Sequence, residues 1–178
     1  MRMLRRSILG VFVVAVALWT LRGPVFRSMV HYRIVGERDA IPPIPNSAHT
    51  SMDLHTAMQS ALDTTAARLR FSTGAVSNDP RELLHGGPAN CIGYAALCAA
   101  LLTGHLHQAG LRERYAVDVV IARLHAGEVD LHGFFTSPFW KDHDVVRVQD
   151  RETGEMRLLD PTLYDHLGIG LVTVRSTK

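Results

Sequence analysis

The stretch that decides the fold is PANCIGYAALCAALLTGHLHQAG, residues 88–110. Pro88 or Asn90 can start a helix there, and the final glycine stands where a left-handed residue commonly follows one. No charged residue occurs from Cys91 to Leu102. A helix that is apolar on every side is buried in a core, and its alanines let a sheet approach closely. The stretch therefore predicts a central, buried helix that begins near Cys91.

A sheet is expected on the C-terminal side of this helix. Residues 115–123 are rich in β-branched side chains and predict a strand, and residues 131–135 can form another. Residues 144–149 and 155–160 are two further strand candidates on either side of a turn-forming segment. Together they predict a hairpin.

An amphipathic helix is expected before the central one, capped by Ser51 or Asp53 and running to about Arg70. Apolar residues make up 47% of the 178-residue chain, enough for a globular domain with a core. The formal net charge is only +2, and the lysines and arginines are spread along the chain without forming a basic stripe. We therefore expect no nucleic-acid partner. We predict an α+β fold: the central helix packs on an antiparallel sheet, and a hydrophobic helix precedes this domain.

The N-terminus has the pattern of an export signal. Three arginines within the first six residues precede an uncharged run from Ser7 to Leu21. A basic flank followed by an apolar run is typical of a signal peptide or signal anchor. We predict that residues 1–24 form a membrane anchor, with the N-terminus in the cytoplasm and the remaining chain outside it. Secretion after signal cleavage is the alternative, and a buried core helix is a third interpretation.

Residues 25–50 are expected to link this anchor to a folded domain that spans residues 51–178. Residues 25–39 show no firm periodicity, and residues 40–51 hold three prolines within four positions. That composition suits an extended polyproline II spacer between membrane and domain. A surface loop packed on the domain is the other interpretation of the proline-rich segment.

The two cysteines, Cys91 and Cys98, both fall within the predicted central helix. Seven residues of helix separate their Cα atoms by about 10 Å, beyond the ~7 Å that a disulfide bridges. Cys91 lies in the first turn, where unpaired N–H groups and the helix dipole favour a negative sulfur. The same N–H groups can stabilise an oxyanion. Cys98, two turns deeper among apolar residues, is predicted to be inert.

A nucleophilic thiol needs a proton acceptor, and the predicted hairpin supplies a histidine and an acid. His143 and Asp160 lie near the open ends of its two strands. They share a face if they are directly opposite or two positions apart. They point to opposite faces if the register differs by one step, because one step turns every side chain over. The hypothesis of a Cys–His–Asp site therefore predicts the parity of this register.

The order of these pieces resembles the transglutaminase-like superfamily, whose fold is related to that of papain. The pieces that carry the resemblance lie between residues 86 and 162, a span of roughly half of the chain. The matching pieces are a cysteine that starts a helix after a Gly-containing loop (residues 86–102), a histidine on a strand (residues 142–148) and an LDPT strand end (residues 158–162).

The resemblance implies acyl transfer at amide bonds, as in a peptidase, an amidase or a transglutaminase, with hydrolysis expected rather than cross-linking. Cys91 is then the nucleophile, His143 the general base and later acid, and Asp160 the group that orients the imidazole. The Cys91 backbone N–H and the side chain of His85 are candidate oxyanion donors. The expected substrate is a protein or peptide, with no cofactor or metal.

One departure from the family pattern leaves an alternative open. Asp144 and Val145 follow His143, whereas the family usually has a small residue and an aromatic one there. A catalytically inactive module of the same fold, binding or scaffolding at the membrane, is therefore the second hypothesis. Asp142 and Asp144 are alternative acids, but each is too close to His143 in sequence to orient it from across the sheet.

Histidines elsewhere invite a zinc interpretation. His105 and His107 near a helix end can supply half a site, with His125 or His132 as a third ligand. Helical residues two positions apart face different directions, so we do not predict a metal centre.

Overall fold

The computed structural model of the chain describes residues 16–17, 19–44, 52–134 and 142–174. Helical residues 19–29 form α1. The other elements, in chain order, are β1 Val30–Glu37, α2 Leu54–Arg68, β2 Leu69–Phe71, α3 Pro80–Leu83, β3 Gly87–Ala89, α4 Cys91–Gln108, β4 Tyr115–Ala126, β5 Val129–Asp130, a 3-10 turn His132–Phe134, β6 His143–Asp150, β7 Met156–Leu159, α5 Pro161–Leu167 and β8 Leu171–Val172.

The fold is α+β, as predicted, with an antiparallel sheet in the order β1-β4-β6-β7-β8 and β5 paired to β4. One face packs on α4, and α2 packs on α4 in turn; Val119, Val146 and Leu97 are buried in this main core. The opposite face buries a smaller cluster that includes Tyr32 and Leu158. A separate parallel pair, β2 with β3, leads into α4.

The central helix α4 begins where the sequence predicts. The side chain of Asn90 caps it, because its Oδ1 accepts hydrogen bonds from the N–H groups of Ile92 and Gly93 at 3.0 and 3.2 Å. After the last helical residue, Gly110 adopts a φ of +70°, the left-handed conformation that ends many helices. Cys98 is fully buried in α4, and both cysteines are free thiols.

The hairpin of β6 and β7 has a register that the site hypothesis allows. Val146 pairs with Leu159, which sets Asp160 opposite Val145 and two positions away from His143. His143 and Asp160 are therefore diagonal neighbours on one face of the sheet. The parity prediction is confirmed.

The predicted linker is wrong for residues 30–37, which form β1 and pair with β4 along its length. Tyr32 is only 2% exposed, and Tyr32 and Ile34 both face the smaller core. The N–H of Ile44 donates to an α4 carbonyl at 3.2 Å, so the proline-rich segment packs on the domain there. The folded domain thus begins well before residue 51.

The strand predicted for residues 131–135 is also wrong over its described part, where residues 132–134 form a 3-10 turn. Asp130 is the physical reason. Its Oδ1 accepts hydrogen bonds from the N–H groups of His132 and Gly133 at 2.9 and 3.2 Å, which curls the chain out of an extended conformation.

Most of the predicted anchor, residues 1–15 and 18, lies outside the described residues. Among the helices that the structure describes, none combines the length and the hydropathy needed to cross a bilayer.

Candidate functional site

Three side chains from three elements meet at the N-terminal end of α4. His143 is the first residue of β6, and its Nε2 lies 2.8 Å from Oδ2 of Asp160, which directly follows β7. Cys91 is the first residue of α4, is 8% exposed and lies close enough to the imidazole of His143 to contribute to the rise in the pKa of that ring. Because Asp160 occupies Nε2, the nitrogen left to exchange a proton with Cys91 is Nδ1. The structure brings the three predicted catalytic residues together.

Asp160 is fully buried, and two further hydrogen bonds hold its carboxylate. Its Oδ1 caps α5 by accepting from the N–H of Leu163 at 2.9 Å, and Oδ2 accepts from the hydroxyl of Tyr32 at 2.6 Å. Burial alone raises the pKa of Asp160, but the charge and hydrogen bond of His143, with these two donors, lower it below its ordinary value. Asp160 is therefore an anion at neutral pH.

Tyr32 supports both partners of that pair. Burial, and then the charge and hydrogen bond of Asp160, raise the pKa of Tyr32 well above its usual value, so the hydroxyl remains a proton donor. Its ring stacks on the imidazole of His143, with centroids 6.1 Å apart and planes inclined by 23°. Tyr32 was missed at the sequence level because β1 was not predicted.

The imidazole of His143 holds its proton strongly. Burial lowers the pKa of His143, but the charge and hydrogen bond of Asp160, followed by a smaller contribution from the nearby Cys91, outweigh burial and raise it to about 10. At neutral pH the ring is thus an imidazolium, which is the partner that a nucleophilic thiolate requires.

The tip of α4 offers one free backbone donor. Asn90 already occupies the N–H groups of Ile92 and Gly93, whereas the N–H of Cys91 donates to no acceptor in the described part of the chain. That N–H is therefore available to a substrate oxygen. The other candidate donor, His85, is exposed on the turn after α3 and makes no side-chain hydrogen bond to the triad within the described ranges. Its role stays a prediction.

A second charged pair lies beside Cys91. Asp144 is 2% exposed, and its two carboxylate oxygens accept from Nε and Nη2 of Arg38 at 2.7 and 3.3 Å. The Sγ of Cys91 lies 4.0 Å from Oδ2 of Asp144. No sequence pattern signalled this contact, since 106 positions separate Arg38 from Asp144. Asp142 instead faces Arg123 at 3.5 Å, and no described hydrogen bond joins either acid to the His143 ring.

Two of the histidines outside the triad, His105 and His125, are buried in the fold. His105 is 6% exposed beside the hydroxyl of Ser60 at 3.3 Å, and burial lowers the pKa of His105. His125 is 5% exposed and stacks on His31, with ring centroids 5.5 Å apart. Over the described ranges, no three His, Cys, Asp or Glu side chains form a group suited to a metal ion.

Comparison of the chain with protein-family models, with curated proteins and with solved structures gave no significant match.

Proposed function

We propose that this chain is a cysteine-dependent enzyme of the transglutaminase-like type, which transfers acyl groups from amide bonds of a protein or peptide. Cys91, His143 and Asp160 are its triad. The observation that carries the proposal is the series formed by a buried carboxylate, the imidazole hydrogen-bonded to it, and a sulfur at a helix tip that helps to raise the pKa of that imidazole. Such a series supplies a nucleophile, a proton carrier and a group that orients the carrier.

In the proposed first step, the thiolate of Cys91 attacks the amide carbonyl carbon, and the N–H of Cys91 donates to the resulting oxyanion. His143 gives its Nδ1 proton to the amide nitrogen, so the C–N bond breaks and a thioester remains. Water then attacks the thioester while His143 accepts its proton. The acid leaves, and the sulfur returns to its starting state. Asp160 keeps its charge throughout and stabilises the imidazolium.

The transglutaminase-like assignment is supported by the order of the elements. A cysteine starts the central helix, a histidine starts one strand, and an acid ends the neighbouring strand. Asp160 also caps a helix that starts with Pro161. The Asp-Pro pair in the LDPT segment is thus a helix cap followed by a first helical residue. Hydrolysis is the proposed outcome of the second step because water needs no dedicated binding site.

Membrane attachment is part of the proposal and is supported by the sequence pattern of residues 1–24. The domain then lies on the extracytoplasmic side, with secretion after cleavage as the alternative. A reporter enzyme that folds only outside the cytoplasm, fused after Lys178, tests the orientation. Activity in membrane fractions supports the anchor, and activity in the culture medium supports cleavage. A reporter that is inactive in both places contradicts export.

The test of the catalytic proposal is alkylation of the full chain by iodoacetamide at pH 7, with peptide mapping of the label. We expect Cys91 to react at least about tenfold faster than in a His143→Ala variant, because loss of the imidazolium disfavours the thiolate. Cys98→Ala is the matched control. It should leave the rate unchanged, since Cys98 is fully buried and burial raises its pKa to about 12.

A peptide library digested in parallel provides the second readout, analysed by mass spectrometry. Cleavage by the wild type that is lost in Cys91→Ala supports hydrolysis. Equal alkylation rates in wild type and His143→Ala, with no cleavage of any peptide, contradict the proposal.

The second candidate function is a non-catalytic binding module of the same fold. The observation that favours it is the resting position of the thiol, which is 8% exposed and directed at the carboxylate of Asp144. This candidate predicts that Cys91→Ala leaves every biological effect of the chain unchanged. Any effect or cleavage that needs the sulfur eliminates it.

A further inference from the structure

We propose that Arg38 is a positioning residue for Cys91, and that it acts through Asp144 to permit a negative charge on the sulfur. The inference rests on the proposed function only in taking Cys91 as the reacting thiol. Neither residue belongs to the triad, and the two come from opposite ends of the domain sequence.

The geometry sets the electrostatic problem. Oδ2 of Asp144 lies 4.0 Å from the sulfur, and Asp144 is 2% exposed, so water screens its charge poorly. A lone carboxylate at this distance opposes a thiolate, because two like charges in a buried place repel strongly. A neutral thiol, in contrast, can donate its proton toward the same oxygen. Asp144 by itself therefore favours the unreactive form of Cys91.

Arg38 removes that obstacle. Its guanidinium binds both oxygens of Asp144 and neutralises the carboxylate that faces the sulfur. The pKa of Arg38 is raised first by its hydrogen bond with Asp144 and also by the charges of Asp144, Cys91 and Asp142, so the guanidinium is within electrostatic reach of the sulfur. Nη1 of Arg38 makes no hydrogen bond among the described residues.

Charged groups surround the sulfur from two neighbouring elements. His143 and Asp144 approach it from β6, and Arg38 approaches from the segment after β1. Asp160 lies behind His143, and Asp142 acts on Arg38 from further away. The charge of Arg38 is the one in this set that both compensates Asp144 and is attracted to a thiolate.

The test is the pH profile of iodoacetamide alkylation of Cys91 in the full chain carrying Cys98→Ala. In Arg38→Gln we expect the midpoint of the profile to rise by one pH unit or more, which is about a tenfold slower reaction at pH values below both midpoints. In Asp144→Asn the midpoint should fall, because the positive guanidinium then faces the sulfur without a compensating carboxylate. The double variant should return to within about half a pH unit of the parent.

Arg114→Gln is the matched control. Arg114 pairs with Asp150 at 2.9 Å, and its side chain is 42% exposed. Arg38 is similar, since it pairs with Asp144 at 2.7 Å and its side chain is 40% exposed. The Arg114 pair lies at the far end of β4 and β6, so its loss should leave the midpoint unchanged.

The inference is overturned if Arg38→Gln behaves like Arg114→Gln, or if both single variants move the midpoint in the same direction. Should Arg38→Gln fail to fold, Asp144→Asn and the double variant still decide, because only a charge effect lowers the midpoint in one and restores it in the other. Failure of the proposed function is recognised separately. Opposite shifts without any amide cleavage refute the enzyme and leave this role of Arg38 intact.

Discussion

The pairing of His143 with Asp160 predicts how the free energy of unfolding varies with pH. A histidine whose pKa is higher in the folded protein stabilises the fold fully below its unfolded pKa of about 6.5. That contribution is lost as the pH rises through the folded value of about 10. The pKa of Asp160 is lowered, so its contribution is present above about pH 4 and lost in acid. The pair therefore stabilises most between about pH 4 and 6.5.

The magnitude follows from the same values. A gap of about 3.5 pH units, at about 1.4 kcal/mol for each, limits the contribution of His143 to about 5 kcal/mol. Part of the rise in the pKa of His143 comes from Cys91. We therefore expect the stability difference between wild type and His143→Gln to shrink by about 3 to 5 kcal/mol from pH 6 to pH 10.

Urea unfolding of both proteins at one-unit pH steps measures this difference, and subtraction cancels the titration of groups that they share. Arg114→Gln is the control, because it breaks an ion pair elsewhere without removing a histidine. It should retain the wild-type decline above pH 6. A difference between wild type and His143→Gln that stays constant from pH 6 to 10 would refute the reasoning.

Three further predictions follow from the packing. Tyr32→Phe removes a buried hydroxyl that donates to Asp160 at 2.6 Å. It should lower the free energy of unfolding by about 1.5 to 3 kcal/mol and slow Cys91 alkylation. Tyr94→Phe, which loses a bond of 2.7 Å to an acid outside the triad, should leave alkylation unchanged, and equal rates in the two variants would contradict this role of Tyr32. Deletion of residues 1–47 removes β1 and should leave the chain unfolded by circular dichroism and proteolysis, whereas a cooperative thermal transition in the shortened chain would contradict it. Gly104→Ala places a Cβ against a backbone carbonyl of the segment that crosses α4. It should lower the free energy of unfolding, measured with urea, by about 1 to 3 kcal/mol. An unchanged free energy of unfolding would contradict this and show that the segment can move aside.

Local patterns predicted the parts of the site that depend on local rules. The start of α4 followed from a capping residue and an uncharged run, and the meeting of His143 with Asp160 followed from the parity of one hairpin. Both depend on residues fewer than twenty positions apart. The physical causes, a side chain that satisfies helix N–H groups and the two-residue period of a strand, act over such short distances.

The parts that were missed depend on distant partners. Val30, Tyr32 and Ile34 alternate as a strand should, but the register shifts between Ile34 and Gly36, which interrupts the pattern. The partner strand β4 lies about ninety positions later, so no local rule pairs the two. The contact of Arg38 with Asp144 could not be predicted for the same reason, because it requires β1 to be part of the sheet.

The carboxylate of Asp160 joins elements that lie far apart in sequence, because the hydroxyl of Tyr32 in β1 and the N–H of Leu163 in α5 both donate to it. A ribosome must translate past residue 163 before both contacts can form. Until then the imidazole of His143 lacks the carboxylate that holds it. Under the proposed function, activation of Cys91 is thereby postponed until β1, β6 and the segment around Asp160 have assembled.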